Sequence, residues 1–184
     1  MTDFESLQEV VNYTVDTFGR IDVLFNNAGI MPLSLLSEGH RDEWQQMLNV
    51  NIIGVLNGIS AVLPIMIKQQ SGHIISTDSV AGHVVYPELA VYCGTKFAVR
   101  AIMEGLRQEH REDGIKSTII SPGAVATELY KTISDKEAGE ALYKHQLESG
   151  LKAEDIATAV AYVIDTPDRM SVNDMIIRPI LQTM

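Results

Sequence analysis

The chain has 184 residues, of which 46% are hydrophobic and 21% are charged, with a formal net charge of −10 and an isoelectric point near 4.8. This length and composition are typical of a globular chain that buries one sizeable core. No basic cluster offsets the acidic residues, so we expect neither a nucleic-acid partner nor binding to an anionic membrane. The single cysteine, Cys93, cannot form an internal disulfide, and the N-terminal residues show no signal-peptide pattern, so we expect a cytoplasmic protein.

Helices and strands are predicted to alternate along the whole chain. Amphipathic stretches with a helical period are separated by short, continuous apolar runs that are typical of buried strands. The predicted elements are helix 4–18, strand 22–26, helix 42–68, strand 72–77, helix 88–112, strand 116–121, a polar and mobile helical insertion at 128–150, helix 154–164 and strand 175–178. This alternation predicts the α/β class: a Rossmann-like, doubly wound parallel sheet that forms a single domain over residues 1–184.

The sequence pattern argues against a membrane-spanning helix and against a metal site. The most apolar stretch, residues 52–67, is short for a membrane-spanning helix and contains Asn57, Ser60 and Pro64. We therefore expect a buried or subunit-facing helix there, and no membrane contact. The five histidines show no metal-ligand spacing, and no paired cysteines accompany them, so we expect no metal site.

The most informative spacing is that of Tyr92 and Lys96, which lie four residues apart in a predicted helix. Positions i and i+4 share one helix face, so the ammonium group can reach the side of the phenol. A free phenol has a pKa of about 10 and is a poor acid or base at neutral pH. A nearby cation favours the phenolate, so we expect Lys96 to lower the pKa of Tyr92 and to make it useful for proton transfer.

Other motifs flank this pair in a fixed order. In chain order the set comprises Asn26-Asn27-Ala28-Gly29, Asn51 within Asn49-Val50-Asn51-Ile52-Ile53-Gly54, Ser79-Val80-Ala81-Gly82, Tyr92-Cys93-Gly94-Thr95-Lys96, and Pro122-Gly123. In this order and at these separations the chain resembles the short-chain dehydrogenase/reductase family, from Thr2 to the C-terminus. Five ordered motifs make an accidental agreement very improbable.

The resemblance implies a catalytic group made of Asn51, Ser79, Tyr92 and Lys96. In this reading Tyr92 is the general acid or base that exchanges a proton with an alcohol or carbonyl oxygen. Ser79 orients that oxygen, Lys96 lowers the pKa of Tyr92 and binds the nicotinamide ribose, and Asn51 holds a water that links Lys96 to solvent. Asn51 is expected at a break within the long helix 42–68.

The resemblance also implies a nicotinamide cofactor. We expect this cofactor to be NADP, with NAD as the alternative. Gly29 has no side chain, so the cofactor ribose can approach the backbone closely at the turn after the first strand. Near the third strand, the carboxamide is expected beside Val125 and Thr127. The complete expected cofactor set is Asn26, Ala28, Gly29, Tyr92, Lys96, Pro122, Gly123, Val125 and Thr127.

One family feature is missing from the sequence. No glycine-rich phosphate-binding turn occurs, although such a turn with its strand and helix normally holds the pyrophosphate. We therefore expect a fragment that lacks the first three strands, or about 60 residues, and that leaves strand 22–26 on an open edge. We also expect the chain alone to be poorly active.

The partners implied are a small alcohol or carbonyl substrate, such as a hydroxy acid, and further copies of the chain. Helices 42–68 and 88–112 carry more apolar residues than one sheet face can bury, and in the family this helix pair packs across a two-fold axis. A homodimer or homotetramer is therefore expected. Two alternative functions stay open: a non-catalytic oligomerisation or scaffold module, and an epimerase that uses the same Tyr92 and Lys96 chemistry.

Overall fold

The computed structural model of the protein describes residues 1–183. Its centre is a four-stranded parallel sheet in the order β1-β2-β3-β6. The strands and helices, in chain order, are α1 Phe4–Phe18, β1 Val23–Asn26, α2 Arg41–Leu48, α3 Gly54–Gln69, β2 Gly72–Thr77, α4 Ala90–Glu109, β3 Ile115–Pro122, β4 Val125–Ala126, α5 Lys136–Ser149, β5 Leu151–Lys152, α6 Ala153–Ile164 and β6 Asp174–Ile177.

Helices cover both faces of the sheet, as the alternating pattern predicts. The larger core lies under α1, α3 and α4, where Ile59, Met66, Ile74 and Met103 are buried together. A second core on the opposite face joins β2 and β3 to α6. Covering both faces explains why β2 and β3 read as nearly continuous apolar or small-residue runs rather than as alternating ones.

The predicted strand order is confirmed, with β1 at one edge of the sheet. Val23 pairs with His73 on β2, and no described residue pairs with the other side of β1 in this sheet. Phe25 on this strand is 38% exposed. An apolar edge strand offers free backbone donors and acceptors to another chain, which is the hazard that the sequence predicts.

The predicted helix 42–68 differs from the structure in one informative respect. It consists of α2 and α3, joined by a π-helical turn at Asn49–Ile53. Asn51 lies in this turn, so the expected break at Asn51 is confirmed. Such turns insert one extra residue into a helix and occur frequently at functional sites.

Two short elements were not predicted. Val125–Ala126 and Leu151–Lys152 form a separate two-stranded parallel sheet, β4-β5. This pairing brings together the two ends of the polar segment 128–150. That segment contains a 3₁₀ turn at Glu128–Thr132 and then α5. Strands of two residues are too short to show the alternation by which strands are predicted.

Among residues 1–183, one helical stretch, Arg41–Gln69, is long and apolar enough to cross a membrane by length and composition alone. It packs against α1, β1 and β2 as a helix of the protein core. These contacts agree with the first of the two expected alternatives for this stretch, a buried or a subunit-facing helix.

Candidate active site

A cleft of about 590 Å³ opens at the carboxyl ends of the parallel strands, which is where ligands bind in open α/β sheets. The residues that end β1, β2 and β3 form its floor, and segments from α4, α5 and α6 form its walls. Its lining includes Phe25, Asn27, Ala28, Gly29, Met31, Thr77, Asp78, Ser79, Tyr92, Lys96, Pro122, Gly123, Val125, Thr127, Glu128, Leu129, Thr132, Gln146, Ile156 and Val160.

Tyr92 and Lys96 lie on one face of α4 and both line the cleft, as the four-residue spacing predicts. Each is only 5% exposed. The Lys96 ammonium lies 5.6 Å from the centre of the Tyr92 ring and donates to the Thr77 carbonyl oxygen at 2.8 Å. The end of β2 therefore fixes the lysine beside the tyrosine.

The pKa of Tyr92 moves in the direction opposite to the one expected. Burial raises the pKa of Tyr92 above its ordinary value, a hydrogen bond with Ser79 lowers it, and the negative charge of Asp78 raises it further. Burial also lowers the pKa of Lys96 to about 8, with Asp78 acting against this effect. The expected lowering by Lys96 is not found: desolvation is the largest influence on the pKa of Tyr92, and Lys96 is not among the groups that lower it.

Ser79 follows β2 and begins a short 3₁₀ turn, Val80–Gly82. Its hydroxyl oxygen accepts a hydrogen bond from the Ala81 backbone N–H at 3.1 Å, which caps this turn. Ser79 also bonds the Tyr92 phenol, so both hydroxyl groups face the same point of the cleft. The serine thus has a structural role and a position suited to orienting a substrate oxygen.

Asn51 lies behind the cleft, and its side chain joins three segments. Its amide nitrogen donates to the Ile30 carbonyl at 2.9 Å and to Thr95 Oγ1 at 3.1 Å, while its oxygen accepts from the Ile30 N–H at 2.9 Å. Both amide hydrogens are therefore committed to protein groups. The observed role of this side chain is to fix the loop after β1 against α4, next to Lys96.

The turn after β1 is divided between core and cleft. Asn26 is buried under α3 and donates to Ser76 Oγ at 3.4 Å. The sequence predicts that Asn26 contacts the cofactor, but its side chain does not line the cleft. Asn27 lines the cleft instead, and it accepts a bond from Thr77 Oγ1 at 2.9 Å. Successive strand residues point to opposite faces, which is why only one of the two asparagines reaches the site.

Gly29 lies close to Asn51 and Lys96, two of the residues expected to be catalytic. A Cβ atom placed there would be 3.5 Å from Asn51 Oδ1 and 3.9 Å from Lys96 Nζ. A side chain would fill this part of the cleft, so glycine keeps it open to a ligand.

The segment after β3 provides the opposite wall. Pro122, Gly123, Val125 and Thr127 all line the cleft, as predicted. Val125 belongs to β4, and Thr127 caps the following 3₁₀ turn through its hydroxyl at 3.4 Å from the Leu129 N–H. A regular element therefore holds this wall in place.

Several cleft residues were missed from the sequence, above all Asp78. This buried carboxylate lies next to Ser79 and lines the cleft. A charged residue at the end of an otherwise uncharged buried strand, Gly72–Thr77, is the signal that could have revealed it. The other missed residues, Thr132, Gln146, Ile156 and Val160, lie in loops and helices that carry no motif.

No group of three or more histidine, cysteine, aspartate or glutamate side chains that could hold a metal ion occurs in the part of the chain that the structure describes. The polar groups that line the cleft instead include the Tyr92 phenol, the Lys96 ammonium, the Ser79 hydroxyl and the Asp78 carboxylate. This set is suited to moving a proton at an oxygen atom.

Comparison with known proteins gives a consistent result. A family model for short chain dehydrogenases matches residues 1–138. An uncharacterized oxidoreductase of Staphylococcus saprophyticus is 53% identical over 189 residues, covering 100% of this chain and 75% of that protein.

Two solved structures match the whole chain. A serine dehydrogenase complexed with NADP⁺ has a TM-score of 0.91 at 28% identity, with 75% of that structure covered. An alcohol dehydrogenase from the archaeon Thermococcus sibiricus, complexed with 5-hydroxy-NADP, has a TM-score of 0.85 at 26% identity, with 73% covered. The motifs, the parallel sheet and these matches agree: the chain belongs to the short-chain dehydrogenase family of oxidoreductases.

Proposed function

We propose that the protein is an NADP-dependent oxidoreductase that interconverts a small alcohol and its carbonyl compound. The observation that carries this proposal is the convergence of Ser79, Tyr92 and Lys96 in one cleft at the ends of the parallel strands. The relatives and structures that match the chain are oxidoreductases, and two of the structures contain an NADP species.

The residues present fit the nicotinamide half of such a cofactor. The open floor at Gly29, the Lys96 ammonium and the wall from Pro122 to Thr127 surround one space. In this arrangement Lys96 would hold the ribose hydroxyls, and Thr127 would face the carboxamide. When bound, the nicotinamide supplies or accepts the hydride.

The protein's own contribution is proton transfer at the substrate oxygen. Because burial raises the pKa of Tyr92, the phenol is protonated at neutral pH and is ready to donate to a carbonyl that is being reduced. Ser79 holds the same oxygen from the other side. In the oxidative direction Tyr92 must accept a proton from the alcohol, so it must first be a phenolate. The positive charge of Lys96 would stabilise that phenolate.

The cleft favours a small substrate with an apolar part. Met31, Leu129, Ile156 and Val160 are among its apolar lining residues. Polar contacts are available from Thr132 and Gln146 on the same wall. A small hydroxy acid, hydroxy ketone or aldehyde meets these requirements.

Replacement of Tyr92 by phenylalanine tests the proposal. NADPH binding is measured by fluorescence, and turnover is measured with a panel of small aldehydes and oxo acids at high protein concentration. Tyr92→Phe should leave NADPH affinity nearly unchanged and lower kcat by roughly 10²- to 10⁴-fold, because only the transferable proton is lost. Tyr13→Phe, an exposed tyrosine on α1, is the matched control and should behave as wild type.

Two outcomes would contradict the proposal. Unchanged turnover in Tyr92→Phe would show that the phenol is not the proton donor. If wild-type protein binds no NADPH even in the millimolar range, this chain is not an oxidoreductase on its own, and the scaffold function becomes the better explanation.

A further inference from the structure

We propose that Asp78 is a positioning residue of the active site, which holds the turn that carries Ser79 and places a negative charge close to the Lys96 ammonium. This inference rests on the proposed function for its catalytic meaning, although its main test does not depend on turnover. Three observations carry it: the burial of the carboxylate, its incomplete hydrogen bonding, and its place between the serine and the cations of α4.

The Asp78 carboxylate is fully buried but poorly paired. The residue is 2% exposed, and among the described residues its Oδ1 atom has no hydrogen-bond partner. Its Oδ2 atom accepts from Ser121 Oγ at 3.3 Å and lies 3.8 Å from Arg100 Nη1 and from His83 Nε2. A buried carboxylate with one unpaired oxygen costs stability, so a neutral residue would suit the fold better.

Arg100 does not need the Asp78 carboxylate as its counter-ion. Arg100 already has a closer partner on β6, since its Nη1 atom lies 2.7 Å from Asp174 Oδ2. The same nitrogen lies 2.7 Å from His83 Nε2, which must therefore accept the bond and be neutral. The requirement of Arg100 for a counter-ion is met without Asp78, so the carboxylate has another role.

The turn that carries Ser79 closes directly on this carboxylate. A Cβ atom on Gly82 would lie 2.4 Å from Asp78 Oδ2, so only glycine fits there without displacing it. Asp78 is also held by its own backbone, whose N–H donates to the Ile120 carbonyl at 2.7 Å. The carboxylate and the 3₁₀ turn Val80–Gly82 are therefore packed as one unit, with Ser79 between them.

The Lys96 ammonium donates to the carbonyl oxygen of Thr77, the residue directly before Asp78, so the ammonium and the carboxylate lie at the same end of β2. Burial lowers the pKa of Lys96, and Asp78 is the group that opposes this effect. Burial raises the pKa of Asp78 itself to about 6, while Lys96 and Arg100 lower it, so the carboxylate is charged at neutral pH. Without it, Lys96 would lose its proton closer to neutral pH and would cease to be a cation. The charged or titratable groups that face Asp78 are Lys96 and Arg100 on α4, His83 after the turn, Tyr92, and Asp174 beyond Arg100.

The test measures the protonation of Lys96 directly. Protein labelled with ¹³C at the lysine ε position is titrated by NMR without cofactor or substrate, and the Lys96 signal is assigned by its loss in Lys96→Arg. In wild type its midpoint is expected near 8. In Asp78→Asn the midpoint should fall by roughly one pH unit, because the opposing charge is gone. Asp113→Asn, which removes the same charge at the far end of α4, should leave it unchanged.

Stability and turnover complete the test. Asp78→Asn should melt at or above the wild-type temperature, because the buried charge is removed, and the pH range of carbonyl reduction should shift down with Lys96. If Asp78→Asn does not fold, Asp78→Ser carries the same expectation, since its hydroxyl can still meet Ser121. A folded variant whose Lys96 titrates as in Asp113→Asn would overturn the proposal, whether or not the protein proves to be an oxidoreductase.

Discussion

His73 shows how a single buried residue contributes to the acid stability of the molecule. It lies in β2, and its Nε2 atom is 2.7 Å from Thr118 Oγ1, which donates its own proton to the Val172 carbonyl at 2.6 Å. Nε2 therefore carries the ring proton, and Nδ1 has no partner within residues 1–183. Burial lowers the pKa of His73 to about 4, with the charge of Lys116 acting in the same direction.

Acid should destabilise the protein through His73. The unfolded chain protonates this histidine near pH 6.5 and the folded chain near pH 4, so the unfolded state binds more protons between these values. The contribution of His73 to stability is therefore nearly constant above about pH 7 and falls as the pH drops towards 4, by about 2 kcal/mol at pH 5. Urea unfolding at pH 7.5 and 5.0 measures this contribution when wild type is compared with a His73 variant, because Asp78 has the opposite pH dependence in both proteins.

Comparison between variants isolates the contribution of His73. In His73→Gln the difference between the two pH values should shrink by about the same 2 kcal/mol, whereas His145→Gln, on the exposed side of α5, should match wild type. Asp78 titrates in the same window with the opposite sign, and it cancels because it is present in every variant. An unchanged pH dependence in His73→Gln would show that the ring is not the proton acceptor.

At the scale of elements, the crossing of α3 over β1 depends on Gly58. A Cβ atom at this position would lie 2.3 Å from the Oδ1 atom of buried Asn26 and 3.3 Å from a Leu24 methyl carbon. The glycine lets the helix approach the strand, in spite of the cost of glycine in a helix. This contact also explains why Asn26 faces α3 and not the cleft.

Gly58→Ala should destabilise the fold by about 1–3 kcal/mol, because helix and strand must separate to admit the methyl group. Gly94→Ala is the matched control: it is a helical glycine on α4 with nothing within 4 Å of its added Cβ. That substitution should be neutral or stabilise by up to about 1 kcal/mol. Thermal or urea unfolding compares the two. Equal effects in both variants would mean that the crossing is looser than described.

Much of this architecture could be predicted from the sequence, for identifiable reasons. The four strands of the main sheet are short apolar runs between helices, and this pattern can be recognised in the sequence without any information on tertiary contacts. The spacing of Tyr92 and Lys96 similarly fixes their common face. The π-helical turn at Asn51 was expected only as a break, since its type depends on the bonds to Ile30 and Thr95.

Other features depend on tertiary contacts that local patterns do not encode. The effect of burial on the pKa of Tyr92 requires the surrounding walls, so sequence reasoning gave weight to the nearby cation and reached the wrong sign. The choice of Asn27 over Asn26 depends on which side of β1 faces α3. The role of Asp78 depends on Arg100 and Ser121, which are distant in sequence.

At the scale of the whole molecule, α3 and α4 leave apolar surface uncovered. Leu56 is 40% exposed and lies in a shallow groove with Leu63 and Ile102. Phe97 on α4 is also exposed. We propose that a second copy of the chain covers this groove by two-fold symmetry, since both helices can present the same surface to their counterparts.

Self-association should therefore be concentration-dependent and sensitive to charge in this groove. Light scattering after size exclusion should show a dimer or tetramer for wild type and mainly monomer for Leu56→Glu, because a stable interface tolerates no unpaired buried carboxylate. Leu147→Glu, at an exposed leucine on α5, is the control and should assemble normally. A wild-type protein that remains monomeric at micromolar concentration would exclude this interface.

The connectivity of the sheet has a consequence for how the chain reaches its native state. Val23 pairs with His73, Gly72 with Ile115, and Ile119 with Asp174, so every pairing in the main sheet joins residues more than 40 positions apart. No hairpin can start this sheet, and proteins dominated by distant contacts fold slowly. Throughout that slow search the apolar edge of β1 is available to other chains. Intermolecular strand pairing competes with folding in proportion to concentration, so the yield of native protein depends on how dilute the chain is while it folds.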